Sequence, residues 1–395
     1  MSTRHHTSFR GFARRIGQMT LGLYFRLCIS PTCQPLTRTI RYVCALSLLT
    51  IANLGHAQVG MRQMVSRDMT ITVVYPTAAP VQPIIHGPFT IQAAIDAAPL
   101  HAAPGSRRLI VLSHGTAGST DNDHDLAASL AREGFVVAQP LHRGDNFKDF
   151  SHAGPDSWRT RPGDVSEAID AMAKDPVLGP QLNLQHVGVH GMSAGGGTGV
   201  IMAGGQWRML DLAHHCAKHL EEDIGFCLNG LAQHPWQQAQ RKVLFALGQW
   251  LTEDNAPTRM KTLQGGNSPS PNQNRDPRPD PRINAVSVAV PLGVIFTPES
   301  LARIRIPVAV TTAGNDGVLL PRFHSDKILQ HCASCIRLSS HEMAGHFDWL
   351  SPWPPSVGTQ VAATQMRGGL PNPNFSMEER QQAFNQIALF FKQKL

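Results

Sequence analysis

The stretch that most constrains this chain is Val187-Gly188-Val189-His190-Gly191-Met192-Ser193-Ala194-Gly195-Gly196-Gly197. Val187 to Val189 has the length and branching of a buried strand, and the small residues from Ala194 to Gly204 form a tightly packed helix. Ser193 therefore stands where strand turns into helix. Glycines two positions to either side leave room for a turn too tight for side chains, and the strain lifts the serine hydroxyl above the sheet. With 34 glycines in 395 residues, Gly-x-Ser-x-Gly arises by chance in about one such chain in six. The surrounding chain has to carry the reading.

It does so by its order. Met69 to Val74 alternates as a strand that Tyr75-Pro76 stops, and the Pro- and Ala-rich segment 77–105 reads as irregular connection. Arg108 to Ser113 is a continuous apolar strand. Asp121 to Glu133 is a helix stopped by Gly134, Phe135 to Ala138 the next strand, and Arg161 to Lys174 a helix with Val165, Ala168, Ile169 and Met172 at helical spacing. Strand alternating with helix predicts an α/β fold with a mostly parallel central sheet flanked by helices. Residues 206–263 break the rhythm with helical patterns only, an insertion (cap) after the nucleophile helix, and 264–282 is a Gly-, Asn-, Ser- and Pro-rich surface loop. Strands resume at Ala285 to Val290, Ile306 to Thr312 and Ile336 to Leu338, and Glu378 to Lys394 closes the chain as an amphipathic helix. The division is thus a leader over 1–57, a core over 58–204 and 285–395, and an inserted region over 205–284.

A net charge of +7 suggests a nucleic-acid or membrane partner, but its distribution argues otherwise. Arg4, Arg10, Arg14, Arg15, Arg26, Arg38 and Arg41 precede residue 58 with no acidic residue among them. Without these seven, 28 basic residues face 28 acidic ones, so the remainder is neutral. The basic leader continues into the apolar run Val43 to Leu54 and the small-residue end Gly55-His56-Ala57, the pattern of a signal peptide cut after Ala57. A periplasmic or secreted protein is expected, with no membrane span after cleavage and no nucleic-acid partner. Of 7 cysteines, Cys28, Cys33 and Cys44 fall in the leader. The other four, Cys216, Cys227, Cys332 and Cys335, allow three pairings, and proximity favours Cys216 with Cys227 and Cys332 with Cys335.

Acyl transfer needs a hydroxyl, a base, an orienting carboxylate and donors aimed at the developing oxyanion. Ser193 supplies the hydroxyl. Asp316, in Ala313-Gly314-Asn315-Asp316-Gly317, and His346, in Ala344-Gly345-His346-Phe347-Asp348, each follow a later strand, in the order Ser, Asp, His. The amides of Ala194, just after the nucleophile, and of Thr116, just after Ser113-His114-Gly115, are the expected oxyanion hole. His114 reads as a structural histidine beneath that loop, and Asp348 as a helix cap. His215 and His219 lie four apart beside Cys216, a zinc-like spacing, but without a third ligand they read as a solvated helix face. Trp349 and Trp353 either line an acyl pocket or pack their loop.

Through Ser113-His114-Gly115, Gly191-Met192-Ser193-Ala194-Gly195-Gly196 and Ala344-Gly345-His346-Phe347-Asp348, roughly residues 105–204 and 285–350 resemble the α/β-hydrolase superfamily. Within it, the likeness is to dienelactone-hydrolase-like and platelet-activating-factor-acetylhydrolase-like serine esterases. The resemblance implies the α/β-hydrolase fold, a serine esterase without cofactor or metal, and a small-molecule or lipid ester as substrate. True dienelactone hydrolases carry cysteine where this chain has Ser193. Some acetylhydrolases take the acid from the preceding strand, where Glu299 is the nearby carboxylate, so Glu299 stands as the alternative to Asp316. A phospholipase A2 or acetylhydrolase-type lipid esterase, and a catalytically silent binding protein on this fold, are the rival functions. Oligomeric state is not readable.

Overall fold

Leu109–Ser113 (β5) and Val187–Met192 (β7) are buried at every position, as strands covered on both faces must be. Alternate residues of β5 feed opposite cores: Leu109 and Val111 join one cluster, Ile110 and Leu112 the other. This is the two-residue period of a strand written in packing. The computed structural model describes residues 57–228, 235–252, 279–363 and 368–395, and Ala57–Leu395 clusters as one unit.

Among the described residues the ten strands are β1 (Gln58–Ser66), β2 (Met69–Thr77), β3 (Gln82–His86), β4 (Phe89–Ile95), β5, β6 (Val136–Pro140), β7, β8 (Ile283–Ala289), β9 (Val308–Ala313) and β10 (Cys335–His341). They form one sheet in the order β10-β9-β8-β7-β5-β6-β2-β1-β4-β3. From β10 to β6 every pairing is parallel, while β6 to β2, β2 to β1 and β4 to β3 are antiparallel. The helices are α1 (His124–Arg132), α2 (Pro155–Lys174), α3 (Ala194–Met202), α4 (Met209–His219), α5 (Ile224–Cys227), α6 (Pro235–Thr252), α7 (Pro298–Leu301), α8 (Ser325–His331), α9 (Pro355–Ala363) and α10 (Met377–Lys394). One sheet face is covered by α2 and α3 through Trp158, Val165, Ile169, Val200 and Ile201. The other is covered by α1 and α10 through Leu126, Leu130, Phe384, Ile387 and Phe391. This is the expected α/β architecture with a mostly parallel sheet.

Three expectations are corrected. Segment 77–105 is not irregular: it holds the hairpin of β3 and β4, in which Phe89, Ile91 and Ala93 are buried with Thr90 and Gln92 exposed between them. Gly87, at φ +56°, makes the turn, and the prolines and alanines around it hide the alternation from a reading by composition. Pro76 does not stop β2, which pairs with β1 as far as Thr77. Helix α2 starts at Pro155, six residues before Arg161, and carries Pro162 inside it. Between β7 and β8, the described part of the insertion is helical, as α4, α5 and α6. The expected loop 264–282 lies mostly outside the described residues, as does the leader up to His56. Cys216 is bonded to Cys227 and Cys332 to Cys335.

Candidate active site

Ser193 lies at φ 59°, ψ −121°, a left-handed backbone that a non-glycine residue adopts only when its surroundings over-determine it. They do. A Cβ on Gly191 would overlap the Gly195 carbonyl, and a Cβ on Gly195 would overlap the Ser113 carbonyl. Neither can carry a side chain while β7 turns into α3 against β5. The turn is also pinned by hydrogen bonds: Ser193 N–H donates to the Ala289 carbonyl at 3.1 Å, and the Ser193 carbonyl accepts from Leu292 N–H at 3.0 Å. Ser193 itself remains partly exposed at the first turn of α3.

Asp316 and His346 arrive on two loops joined to each other. Asn315 N–H donates to the Ala344 carbonyl at 3.0 Å, so the loops after β9 and β10 share a backbone bond directly before Asp316 and His346. Asp316 Oδ1 accepts the amides of Val318 and Leu319, each at 2.8 Å, which fixes the carboxylate and leaves Oδ2 facing His346 Nδ1 at 2.8 Å. A carboxylate can only accept, so Nδ1 carries the proton and Nε2 presents its lone pair. That lone pair meets Ser193 Oγ at 2.9 Å. Three side chains from positions 193, 316 and 346 thus form one hydrogen-bonded line, with His346 and Asp316 buried. Glu299 is not in it: it is solvent-exposed in the first turn of α7, held by Thr297 and its own backbone, with its carboxyl kept below the usual range by those bonds.

Asp348 accepts from Gly345 N–H at 2.6 Å and from Asn372 N–H at 3.0 Å. It is the expected cap, holding the His346–Trp349 turn that carries the imidazole. Trp349 is buried edge-on to His341 and Phe375, so it packs its loop. Phe347 lies edge-on to His346 at 4.9 Å between ring centres, and Trp353 packs on Phe347 at 5.1 Å.

The strand-end loop after β5 lies against Ser193, since a Cβ on Gly115 would stand 3.5 Å from Ser193 Cβ. Its underside is a buried polar framework. His114 Nδ1–H donates to the Gly115 carbonyl at 2.7 Å, and His114 Nε2 accepts from His142 N–H at 3.1 Å. His142 Nε2 meets Ser113 Oγ at 2.8 Å and its Nδ1 meets Asp164 Oδ2 at 3.1 Å. Burial holds both imidazoles well below the usual histidine range, and the cationic Arg161 nearby adds to it, so they are neutral. His114 is thus the structural histidine expected. Arg161 and Asp145, each with a fully buried side chain, pair at 2.8 Å in the same framework.

His215 and His219 do not form a solvated face. His215 Nε2 donates to Asp223 Oδ2 at 2.8 Å, and His324 Nε2 reaches the same oxygen at 3.1 Å. Against the cost of its burial, the two imidazoles draw Asp223 to a pKa of about 2. Cys227 lies close to His215 and Asp223, but its sulfur is bonded to Cys216. His324 Nδ1 accepts Gly293 N–H at 3.2 Å, so its Nε2 bears the proton and has no lone pair for a cation. His219 turns to Glu222 at 2.9 Å. Next to this cluster, a Cβ on Gly225 in α5 would overlap the Gly317 carbonyl, so the insertion rests directly on the loop that bears Asp316.

Arg161, Asp145, His142, Asp164, Asp223 and His324 were not legible as a supporting framework. One signal existed for Arg161: it lies four residues before Val165 on the apolar stripe of α2, where a surface arginine does not belong.

No family model matches the chain, and no curated protein matches it. Among solved structures, the ferulic acid esterase from Streptomyces cinnamoneus is similar in fold at a TM-score of 0.53, covering 87% of this chain and 91% of that one at 16% sequence identity. The chain therefore has an α/β-hydrolase-like fold, with its serine at the sharp turn after β7.

Proposed function

We propose that the protein is an exported serine hydrolase that cleaves carboxylic esters through an acyl-enzyme. The observation that carries this reading is the continuous line Asp316–His346–Ser193, at 2.8 and 2.9 Å. His346 Nε2 takes the Ser193 proton as Oγ attacks the ester carbonyl, Asp316 steadies the resulting imidazolium, and His346 returns the proton to the leaving alkoxide. Water then repeats the sequence to release the acid. The Thr116 and Ala194 amides receive the oxyanion, the second of them at the amino end of α3, where the helix dipole favours negative charge. Kinship with the dienelactone-hydrolase-like and acetylhydrolase-like esterases is part of this proposal, as are the core over 58–204 and 285–395 and the insertion between. Export is supported by the two disulfides.

Fluorophosphonate labelling of the folded protein tests the reading. The expected result is one label on Ser193 and turnover of short p-nitrophenyl esters; a protein that is folded, unlabelled and inactive on them is the silent binding protein instead. A lipid ester is the second reading, favoured by Trp236, Val243, Leu244 and Leu247, all exposed on α6 of the insertion. A rate that jumps when the ester passes its micellar concentration supports it, and a hyperbolic rate through that point removes it.

A further inference from the structure

Arg161 is a fully buried cation in the middle of the fold, in contact neither with Ser193 nor with His346. Its guanidinium makes a specific set of bonds. Nε and Nη2 hold Asp145 Oδ2 at 3.0 and 2.8 Å, Nη1 donates to the His114 carbonyl, and Nη2 donates to the Gly115 carbonyl at 3.0 Å. Asp145 Oδ1 in turn accepts from Ala117 N–H at 2.9 Å. One ion pair therefore grips the backbone on both sides of Thr116.

We propose that Arg161, with Asp145, is the positioning residue of the oxyanion hole, locking the Gly115–Thr116 peptide so that the Thr116 N–H faces the cleft. The inference rests on the serine hydrolase reading above. The physical step is the planarity of the peptide: in a trans unit the C=O and the following N–H point in opposite directions. The Gly115 carbonyl accepts from Arg161 Nη2, from His114 Nδ1 at 2.7 Å and from Gly118 N–H at 3.1 Å. With three donors drawing the oxygen inward, the Thr116 N–H is turned outward, on the side where Gly115 lies against Ser193. A flipped peptide would present its oxygen to the developing oxyanion and repel it. Ala117, held at φ 52°, shows the loop kept in a left-handed conformation on the far side of the same peptide.

The test separates orientation of the loop from stability of the fold. Replacing Arg161 alone strands a buried carboxylate, so the decisive variant is R161Q with D145N, which removes both charges, accompanied by R161K. With the amide no longer fixed, kcat on a short p-nitrophenyl ester falls by about 10²–10³ while KM stays within a few-fold, the loss expected for one oxyanion donor. Affinity for a trifluoromethyl ketone, whose tetrahedral adduct places an oxyanion in the hole, falls by the same factor as kcat/KM. The midpoint of the pH–kcat/KM profile stays put, because His346 and Asp316 are untouched. R161K reaches one carbonyl rather than two and gives an intermediate loss on both readouts. Either folded variant with wild-type kcat, or one whose kcat falls without a matching loss of ketone affinity, overturns the proposal. If the wild-type protein neither turns over esters nor takes the fluorophosphonate, the hydrolase reading fails first and this one with it; an active wild type beside an unaffected variant sinks only the role of Arg161.

Discussion

The described residues hold two Ser–His–Asp lines, and their distances do not tell them apart. Ser193, His346 and Asp316 are spaced at 2.9 and 2.8 Å; Ser113, His142 and Asp164 at 2.8 and 3.1 Å. What differs is everything around them. Ser113 is the last residue of β5, with 1% of its surface exposed, and its backbone takes an ordinary strand conformation. Ser193 is partly exposed and is forced to positive φ at the foot of a helix. Asp164 is shared with Arg143 at 2.5 Å, and two cationic arginines together with burial keep His142 from taking a proton. Among the described residues no arginine competes for Asp316, whose oxygens accept two backbone amides and face His346. Three residues in hydrogen-bonding order make a strut when nothing can reach the hydroxyl, and become a candidate catalyst only where strain, access and a place for the oxyanion coincide.

The contrast can be broken most forcefully at the imidazoles. His346→Ala is expected to lower kcat by about 10⁴ or more with an unchanged circular dichroism spectrum; retained turnover would mean that the exposed line is a strut as well. Next in size is Asp316→Asn, for which steady-state kinetics should give a loss of about 10²–10⁴ in kcat with little change in KM, through loss of the correct imidazole tautomer. Ser113→Ala should act in the opposite way. The label on Ser193 persists, while urea unfolding shows a loss of about 1–3 kcal/mol, because His142 Nε2 is left buried without its partner.

The smallest effect is a pH dependence. His142 has its folded pKa depressed by burial and by Arg161 and Arg143, so at pH below the unfolded value of 6.5 the unfolded chain binds the proton and the native chain does not. Stability from this group is complete above that value and is lost as pH falls beneath it. Between pH 7 and 5, His142→Gln should therefore lose less stability than wild type, by roughly 2 kcal/mol in urea midpoints converted with the measured m-value. An identical pH slope in the two proteins would mean that His142 is protonated in the native state.

The legible part of the molecule is the part written locally. Apolar runs such as Leu109–Ser113 and the glycines around Ser193 carry their conformation in their own residues, so the strand-turn-helix at Ser193 and the α/β order could be read directly. Asp316 and His346 could be placed because each follows a strand whose position in the sheet is set by the βα rhythm. The hairpin β3–β4 escaped because Pro83 and the alanines near residue 93 mask its alternation. The buried framework escaped for a different reason: Arg161 and Asp145 are 16 residues apart, and His215 and His324 are brought to one oxygen of Asp223 by tertiary packing alone. A lone charged residue on a helix looks solvated until its burial is known.

The footing of the insertion on the loop of Asp316 has a consequence for how this scaffold can change. At Gly225 the two segments touch backbone to backbone, leaving no side chain there to enlarge or trim. That point of support admits no larger residue without prying the segment off the loop of Asp316.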